Sequence, residues 1–221
     1  MKLKILLGLF LVSQFLFSQL PDGFVYVKQQ IPSIQTELRY YSGKNFIGKP
    51  ITGYNKNVII LSAQATRALK KAQEELETFD LSLKIYDAYR PQRAVNHFIA
   101  WAKDLSDTIM KHEYYPEVDK KNLFKDQYIA SKSRHSSGST LDVTLIDRRT
   151  GEELDMGTPY DYFGPQSWIH FMRLTTQQKA NRLLLQNIMT KHGFRPYPWE
   201  WWHFTLRGEP FRNQHFDFPV E

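Results

Sequence analysis

The sequence predicts an α+β fold: a single compact domain with a mainly antiparallel sheet flanked by helices. Three observations lead to this prediction. Helical and strand patterns follow one another without the regular alternation of a parallel α/β protein. No linker, repeat or low-complexity run divides the chain. Its 221 residues, 42% of them hydrophobic, can bury one core without disulfide bonds.

The first helix is predicted between Leu61 and Phe79, where apolar residues recur at helical spacing and Lys and Glu lie opposite. The apolar stripe consists of Leu61, Ala65, Ala68, Leu69, Ala72, Leu76 and Phe79. Alternation from Ser82 to Tyr89 then predicts a strand. This strand stops at Arg90, because a following proline restricts the backbone of the residue before it.

A second helix is predicted to start at Pro91, whose missing N–H is tolerated in a first helical turn. Its apolar face consists of Ala94, Val95, Phe98, Ala102 and Leu105. Alternation from Leu141 to Ile146 predicts the second strand, with Leu141, Val143 and Leu145 on one side. A polar residue such as Asp142 then points to the opposite side.

A third, long helix is predicted from a capping box formed by Thr175 and Gln178, and Gly193 ends it. Its apolar residues are Ala180, Leu183, Leu184 and Ile188. The range from Trp199 to Leu206 is predicted as the third strand. Together these elements give the predicted sheet and its flanking helices.

The amino-terminal stretch predicts a secretory signal peptide, residues 1–18, rather than part of the fold. Lys2 and Lys4 precede the apolar run Ile5–Phe17, which is shorter than the roughly 20 residues of a membrane span. We expect cleavage near Ser18 and an exported, periplasmic or secreted domain of residues 19–221 without a stable membrane partner. The alternative is an N-terminal anchor helix that is never cut.

Charge and cysteine content exclude several classes of function. The chain has 29 basic and 23 acidic residues, a net charge of +6 that falls to +4 without Lys2 and Lys4. This small, dispersed excess indicates no nucleic-acid partner. Cysteine is absent, which excludes disulfides, thiolate catalysis and Cys-based zinc sites. Any metal must therefore be bound by His, Asp or Glu.

Residues suited to bind a metal occur in two segments. His135 and Asp142 are seven positions apart across a Ser/Gly-rich turn, and Glu200 and His203 lie in a Trp-rich strand. Imidazole nitrogen and carboxylate oxygen bind Zn²⁺ at about 2.0–2.2 Å. Three ligands, His135, Asp142 and His203, would leave a fourth position open for catalysis. Arg90 adds a cation fixed at the end of a strand.

Each of these residues also has an ordinary structural interpretation. Asp142 could simply begin a strand, and His203 could be a hydrogen-bonded neighbour of a Trp-rich core. Glu200 could be a surface carboxylate, and Arg90 could pair with Asp87. The joint occurrence of two histidines, two carboxylates and a positioned arginine favours a site.

The motifs carry a family resemblance. They are Ser133–Asp142, Glu200–His203 and Asp87-Ala-Tyr-Arg-Pro91. They resemble the zinc D-alanyl-D-alanine dipeptidases of the vancomycin-resistance type, in peptidase family M15. Further segments that resemble this family are Asn45–Pro50, Asp155–Thr158, Tyr160–Tyr162 and Phe216–Val220. Relatives that share only the zinc core would not be expected to share these segments.

The resemblance implies one zinc ion per chain, held by His135, Asp142 and His203. It also implies that Glu200 is the general base and acid and that Arg90 stabilises the transition state. On a regular strand Glu200 and His203 would face opposite sides, so we expect a turn or bulge between residues 198 and 201.

The implied reaction is hydrolysis of the small dipeptide D-alanyl-D-alanine to two D-alanine molecules in an enclosed pocket. Ser133, Tyr40 and Asp161 are the implied substrate contacts. The alternative is a D,D-carboxypeptidase that trims D-alanine from peptidoglycan stem peptides, which export toward the wall would suit. A zinc-stabilised binding module without turnover ranks last, because Glu200 is present. The sequence departs from the resistance-conferring members in one respect: they act in the cytoplasm, whereas this chain has an export signal pattern.

Overall fold

The computed structural model describes residues 20–221. The predicted signal peptide lies outside the described residues. The strands and helices, in chain order, are β1 (Phe24–Tyr26), α1 (Val27–Gln30), β2 (Gln35–Thr36), β3 (Ile60–Ser62), α2 (Ala63–Glu77), β4 (Leu81–Asp87), α3 (Gln92–Lys103), α4 (Lys111–Tyr114), β5 (Thr140–Asp147), α5 (Thr176–Lys191), β6 (Phe194–Tyr197) and β7 (Glu200–Leu206). Short 3-10 helices cover Lys120–Asn122, Arg134–Ser137 and Pro165–Ser167.

The main sheet contains five strands in the order β2-β4-β5-β7-β6. Only the short β2 runs parallel to its neighbour; the other neighbouring pairs are antiparallel. β1 and β3 form a separate antiparallel pair. α2 and α5 contact strands of the main sheet and each other. This arrangement confirms the predicted α+β class.

One hydrophobic core joins the described chain from Phe24 to Val220. Aromatic side chains are prominent in it; the largest that are fully buried are Tyr40, Tyr86, Tyr89, Tyr114, Tyr115, Tyr160, Phe194 and Phe204. A single continuous core confirms the single compact domain. None of the helices described between residues 20 and 221 combines the length and apolar character needed to cross a membrane.

The first two predicted helices form, with shorter boundaries. α2 begins after Ser62, whose hydroxyl accepts a hydrogen bond from the Ala65 N–H at 3.2 Å. Pro91 is the N-cap of α3 rather than its first helical residue. The prediction that Phe79 and Leu105 lie on the buried helix faces was wrong, since their exposed fractions are 65% and 56%. Both lie beyond the last helical residue, where helical periodicity no longer determines the direction of a side chain.

The buried face of α5 differs from the predicted one. Thr175 and Gln178 form the expected capping box, and Gly193 follows the helix with φ of 92°. Ala180 and Leu183 are exposed, however. The buried residues of α5 are Asn181, Arg182, Leu185, Ile188 and Met189. The prediction is confirmed for Ile188 and was wrong for Ala180 and Leu183, because it counted apolar residues alone. The buried face also includes Arg182, whose guanidinium nitrogens each donate to a backbone carbonyl.

Candidate active site

Three polar residues of the site lie side by side across the main sheet. Asp142 on β5 is directly opposite Asp87 on β4 and His203 on β7. Residues opposite each other on neighbouring antiparallel strands have side chains about 4.5–5.5 Å apart at Cβ. An irregularity of β4 between Ile85 and Asp87 brings Asp87 into this row. The sheet register therefore gathers residues that are far apart in sequence.

His135 reaches the row from the 3-10 helix that precedes β5. Gly138 ends this helix in the left-handed conformation with φ of 74°. A Cβ atom on Gly138 would lie 2.1 Å from the ring of Phe24, so only glycine fits this turn. The Ser/Gly-rich segment thus folds His135 back toward Asp142.

The three predicted ligands present a closely spaced set of donor atoms. Nε2 of His135 and Nδ1 of His203 are 3.3 Å apart, and each is 3.3 Å from Oδ1 of Asp142. Donors about 2.0–2.1 Å from a tetrahedral zinc ion would be separated by about 3.3–3.4 Å. Among the described residues, this is the group of His, Asp and Glu side chains close enough to hold one ion.

The hydrogen bonds around these donors fit a metal. Nδ1 of His135 donates to the carbonyl of Ala88 at 2.7 Å, which leaves Nε2 with a free lone pair. The Tyr160 hydroxyl donates to Oδ2 of Asp142 at 3.0 Å, while the buried Oδ1 has no hydrogen-bond partner. A buried carboxylate oxygen without a partner is costly unless a cation occupies the position beside it.

The pKa values of Asp142 and His203 reflect the charged groups that surround them in the site. Burial alone would raise the pKa of Asp142, but the imidazoles of His135 and His203 hold that pKa well below its usual range. Burial lowers the pKa of His203, whereas the neighbouring carboxylates of Asp142 and Glu200 more than reverse this and raise that pKa to about 9.

Glu200 reaches the donors through a bulge. Tyr197 of β6 is opposite Glu200, while the preceding Pro196 is opposite Phe204, so β7 carries three extra residues at 201–203. Oε2 of Glu200 consequently lies 3.2 Å from Nδ1 of His203. The predicted irregularity is confirmed, and it lies within β7 at the carboxyl end of the predicted range and just beyond it.

Arg90 lies beside the donors and is held by Asp87. Its Nε and Nη2 are both 2.9 Å from Oδ2 of Asp87, and Nη2 is 3.5 Å from Oδ2 of Asp142. The guanidinium also lies over the rings of Tyr40 and Phe98, at 5.0 and 5.3 Å. The ordinary ion pair considered from the sequence therefore exists, and it aims the guanidinium into the site.

The predicted substrate contacts fall into two places. The hydroxyl of Tyr40 donates to Oδ2 of Asp161 at 2.9 Å, and both residues are buried. Burial, together with the charge of Asp142, raises the pKa of Asp161 well above its usual value. Ser133 is the N-cap of the 3-10 helix, where its hydroxyl oxygen accepts a hydrogen bond from the His135 N–H.

All eight predicted site residues line one cavity of about 330 Å³. The aromatic and aliphatic side chains of its wall include Phe46, Val95, Phe98, Tyr128, Ile129, Ala130, Phe163, Pro196 and Tyr197, in addition to Tyr40. Its lining also includes three cationic residues, Lys132, Arg134 and Arg195. They do not belong to the row of Asp87, Asp142 and His203. The buried carboxylate of Glu209 lies 3.7 Å from Arg134 and 3.5 Å from Arg195.

Several supporting residues were missed from the sequence. Tyr160 bonds a predicted ligand, Tyr54 donates to Asp87 at 2.7 Å, and Ala88 orients His135 with its carbonyl. Tyr160 lay in a segment already recognised for its family resemblance, which was the available signal. Tyr54 and the carbonyl of Ala88 had none, because their roles arise only from sheet register and turn geometry.

Comparison with known proteins identifies the chain's relatives. A family model described as D-ala-D-ala dipeptidase of peptidase family M15 matches residues 21–221. A D-alanyl-D-alanine dipeptidase of Enterococcus faecium is 38% identical over 199 residues, covering 90% of this chain and 98% of the relative. A protein of the same name from Streptomyces coelicolor is 38% identical over 197 residues, covering 89% and 98%. A third from Escherichia coli is 34% identical over 178 residues, covering 79% and 80%.

The fold and the donor group beside a carboxylate are those of a metal-dependent hydrolase that acts on peptide bonds. The matches narrow this class, since they extend over nearly all of the described chain rather than over the metal motifs alone. The protein belongs to the D-alanyl-D-alanine dipeptidase family of M15 peptidases. The resemblance found in the sequence is thereby confirmed.

Proposed function

We propose that this chain hydrolyses the dipeptide D-alanyl-D-alanine to two D-alanine molecules, with one zinc ion bound by His135, Asp142 and His203. The observation that carries the proposal is the set of three donors 3.3 Å apart, next to Glu200 in a small cavity. The names of the relatives support the choice of substrate. The donor chemistry supports zinc, although other divalent metals accept the same ligand types.

The chain's own residues supply the proton transfers and the charge stabilisation. When bound, zinc supplies a Lewis acid that activates water at neutral pH. Glu200 accepts the proton from the attacking water and returns it to the leaving nitrogen. Arg90 donates hydrogen bonds to the oxygen that becomes negative as the amide carbonyl is attacked. Asp87 keeps the guanidinium in place, because it holds both Nε and Nη2.

The charges around the cavity match a free dipeptide. Asp161 offers a buried carboxylate for the substrate ammonium, and the bond from Tyr40 fixes its orientation. Because the Tyr40 hydroxyl donates its hydrogen bond to Asp161, its oxygen is left to accept a hydrogen bond from the substrate ammonium. Ser133 likewise uses its oxygen to cap the 3-10 helix, which leaves its proton free for a substrate oxygen.

A test of this function measures D-alanine release from D-alanyl-D-alanine by the purified chain, with metal analysis of the same preparation. We expect turnover that a chelator stops and zinc restores. Glu200→Gln should keep the metal and lose about 10²- to 10⁴-fold in kcat, the usual contribution of a general base. Glu113→Gln, an exposed change on α4, is the control and should retain full activity. Retained turnover in Glu200→Gln would contradict the role of Glu200.

The same assay decides between the proposed dipeptidase and a D,D-carboxypeptidase. The substrate for comparison is an N-blocked tripeptide ending in D-alanyl-D-alanine. A blocked amino group carries no charge for Asp161 and adds bulk to a cavity of about 330 Å³. We therefore expect the tripeptide to be cleaved far more slowly than the free dipeptide; equal or faster cleavage would favour the carboxypeptidase.

We also propose that residues 1–18 direct export and that residues 19–221 act as the catalytic domain outside the cytoplasm, in the periplasm or after secretion. The basic pair Lys2 and Lys4 and the apolar run after it support this proposal.

A further inference from the structure

The segment Phe216–Val220, here called the FDFPV segment, has no side chain in the lining of the cavity. It nevertheless bonds to the chain on several sides of the site. Its contacts reach the start of α3, Tyr89, the residue after His135 and the turn that carries Tyr54. A segment that makes these contacts without lining the cavity can act on the reaction only through the residues that it holds.

Several of these contacts give α3 the capping acceptors that its N-cap residue, Pro91, cannot provide from its own side chain. α3 follows Pro91, which has no side chain able to cap the helix. Oδ1 of Asp217 accepts from the backbone N–H of Arg93 at 2.7 Å and from its Nε at 3.0 Å. The carbonyl of Phe216 accepts from the N–H of Gln92 at 3.1 Å. Asp217 therefore caps the helix from a distant part of the chain, in place of a local N-cap residue.

Tyr89, which directly precedes Arg90, is also held by the FDFPV segment. The ring of Tyr89 stacks on Phe218 with centroids 4.1 Å apart, and the Tyr89 hydroxyl donates to the Phe218 carbonyl at 2.9 Å. Arg90 thus lies between Tyr89 and the Pro91–Arg93 turn, both fixed by the FDFPV segment. Its own N–H donates to the carbonyl of His135 at 3.3 Å.

Val220, at the carboxyl end of the FDFPV segment, supports Asp87, the ion-pair partner of Arg90. The N–H of Val220 donates to the carbonyl of Gly53 at 2.8 Å, and the adjacent Tyr54 donates its hydroxyl proton to Asp87. Gly53 has φ of 94°, and a Cβ atom there would lie 2.7 Å from Arg93. The turn at Gly53 is therefore packed closely against Pro91 and Arg93 at the start of α3.

We propose that Asp217 is a positioning residue for Arg90: by capping α3 and binding Arg93, it holds the guanidinium at the distance that turnover requires. This inference rests on the proposed function, in which Arg90 stabilises the negative charge formed during amide hydrolysis. A small displacement of such a group can cost up to about 100-fold in rate. Because the charge arises only in the transition state, the loss falls on kcat rather than on KM.

The test compares Asp217→Ala and Asp217→Asn in the full chain with Asp147→Ala as matched control. Asp147 also accepts from a backbone N–H and an arginine, those of Arg149, but does so at the far end of β5. We expect Asp217→Ala to lower kcat about tenfold and to leave KM within about twofold. Asp217→Asn keeps an oxygen acceptor and should stay within about threefold of the unchanged chain. The control should keep both constants.

A double variant separates positioning from a general loss of structure. If Asp217 acts through Arg90, then Asp217→Ala should cost nothing further in kcat once Arg90 is already Ala. An equal loss in the Arg90→Ala background would overturn the proposal, and so would a kcat of Asp217→Ala within about twofold of the unchanged chain.

Amide hydrogen exchange tests the segment independently of turnover. In Asp217→Ala, the amides of Gln92, Arg93 and their neighbours in the first turn of α3 should exchange faster than in Asp147→Ala. Absence of turnover in the unchanged chain would refute the proposed function, while faster exchange would still support the capping of α3 by Asp217, the contact through which Arg90 is held. Unchanged exchange at these amides would overturn the positioning proposal itself.

Discussion

Asp161 is placed where its negative charge is least favoured. It is buried, its φ of 62° lies in the left-handed region, and burial together with Asp142 raises its pKa well above the usual value. Arg90 and the hydrogen bond from Tyr40 offset this only in part. A substrate ammonium would supply the missing positive charge. An unfavourable backbone conformation and a buried charge that only a bound ligand would neutralise are typical of a functional site.

Replacement of Asp161 by Asn should therefore separate stability from binding. An amide of the same shape keeps an acceptor for Tyr40 and removes the buried charge. We expect Asp161→Asn to raise the melting temperature near pH 7 and to raise KM for D-alanyl-D-alanine about tenfold or more, since a charge-assisted hydrogen bond contributes about 1.5–3 kcal/mol. Calorimetry and initial-rate kinetics on the same preparations measure both.

The stability difference should also depend on pH, with a defined sign. Because the pKa of Asp161 is raised in the folded chain, its contribution to stability is complete below the ordinary carboxyl value of about 3.9. That contribution is lost as the pH rises through the raised value. The advantage of Asp161→Asn should thus be largest at neutral pH and shrink toward pH 4. A constant advantage across this range would argue against a buried, charged Asp161.

At the scale of single elements, α5 depends on a buried arginine. Arg182 is 5% exposed, and its guanidinium donates to the carbonyls of Met156, Gln166 and Trp168 at 2.6, 2.9 and 3.0 Å. These carbonyls belong to the long connection between β5 and α5, which also carries Tyr160 and Asp161. Arg182 therefore joins the helix to the loop that completes the site.

Loss of this arginine should be among the more damaging single changes in the chain. Arg182→Met keeps much of the apolar volume but leaves three carbonyls without their donor, and we expect a loss of about 3 kcal/mol or more. For a domain of this size that is a fall of roughly 6–12 °C in melting temperature. The neighbouring Leu183→Ala, at a position 55% exposed, should change stability by less than about 0.5 kcal/mol. The reverse order of effects would restore the face predicted from the sequence.

This pair of residues illustrates how far the sequence can be taken. Periodicity and capping signals located α2, α3 and α5, because those signals are local. They did not place Arg182 in the buried face of α5, because the carbonyls that accept its hydrogen bonds come from another part of the chain. Likewise the metal-ligand types were visible as motifs, whereas Tyr54 and the carbonyl of Ala88 were not. Such supporting roles depend on register and turn geometry, which one sequence does not display.

At the scale of the whole molecule, the proposed export of the chain can be tested directly. Expression of all 221 residues in a bacterial host should yield a shortened protein outside the cytoplasm, with its new amino terminus near residue 19. Leu11→Arg interrupts the apolar run and should keep the chain inside, while a control chain started at residue 19 should also stay inside. An uncut chain recovered from the cytoplasm would contradict the proposal.

The two ends of the described chain meet beside the site. The Tyr26 hydroxyl donates to the carbonyl of Glu221 at 2.6 Å, and the ring of Phe24 packs against Phe211, Phe216 and Phe218. Gly151, by contrast, lies in a turn where an added Cβ would meet no atom within 4 Å. The same three-dimensional arrangement of strands and helices should therefore tolerate a different order of connections along the chain. A circular permutant that joins the two ends with a short linker and opens at Gly151 would keep every contact around the site.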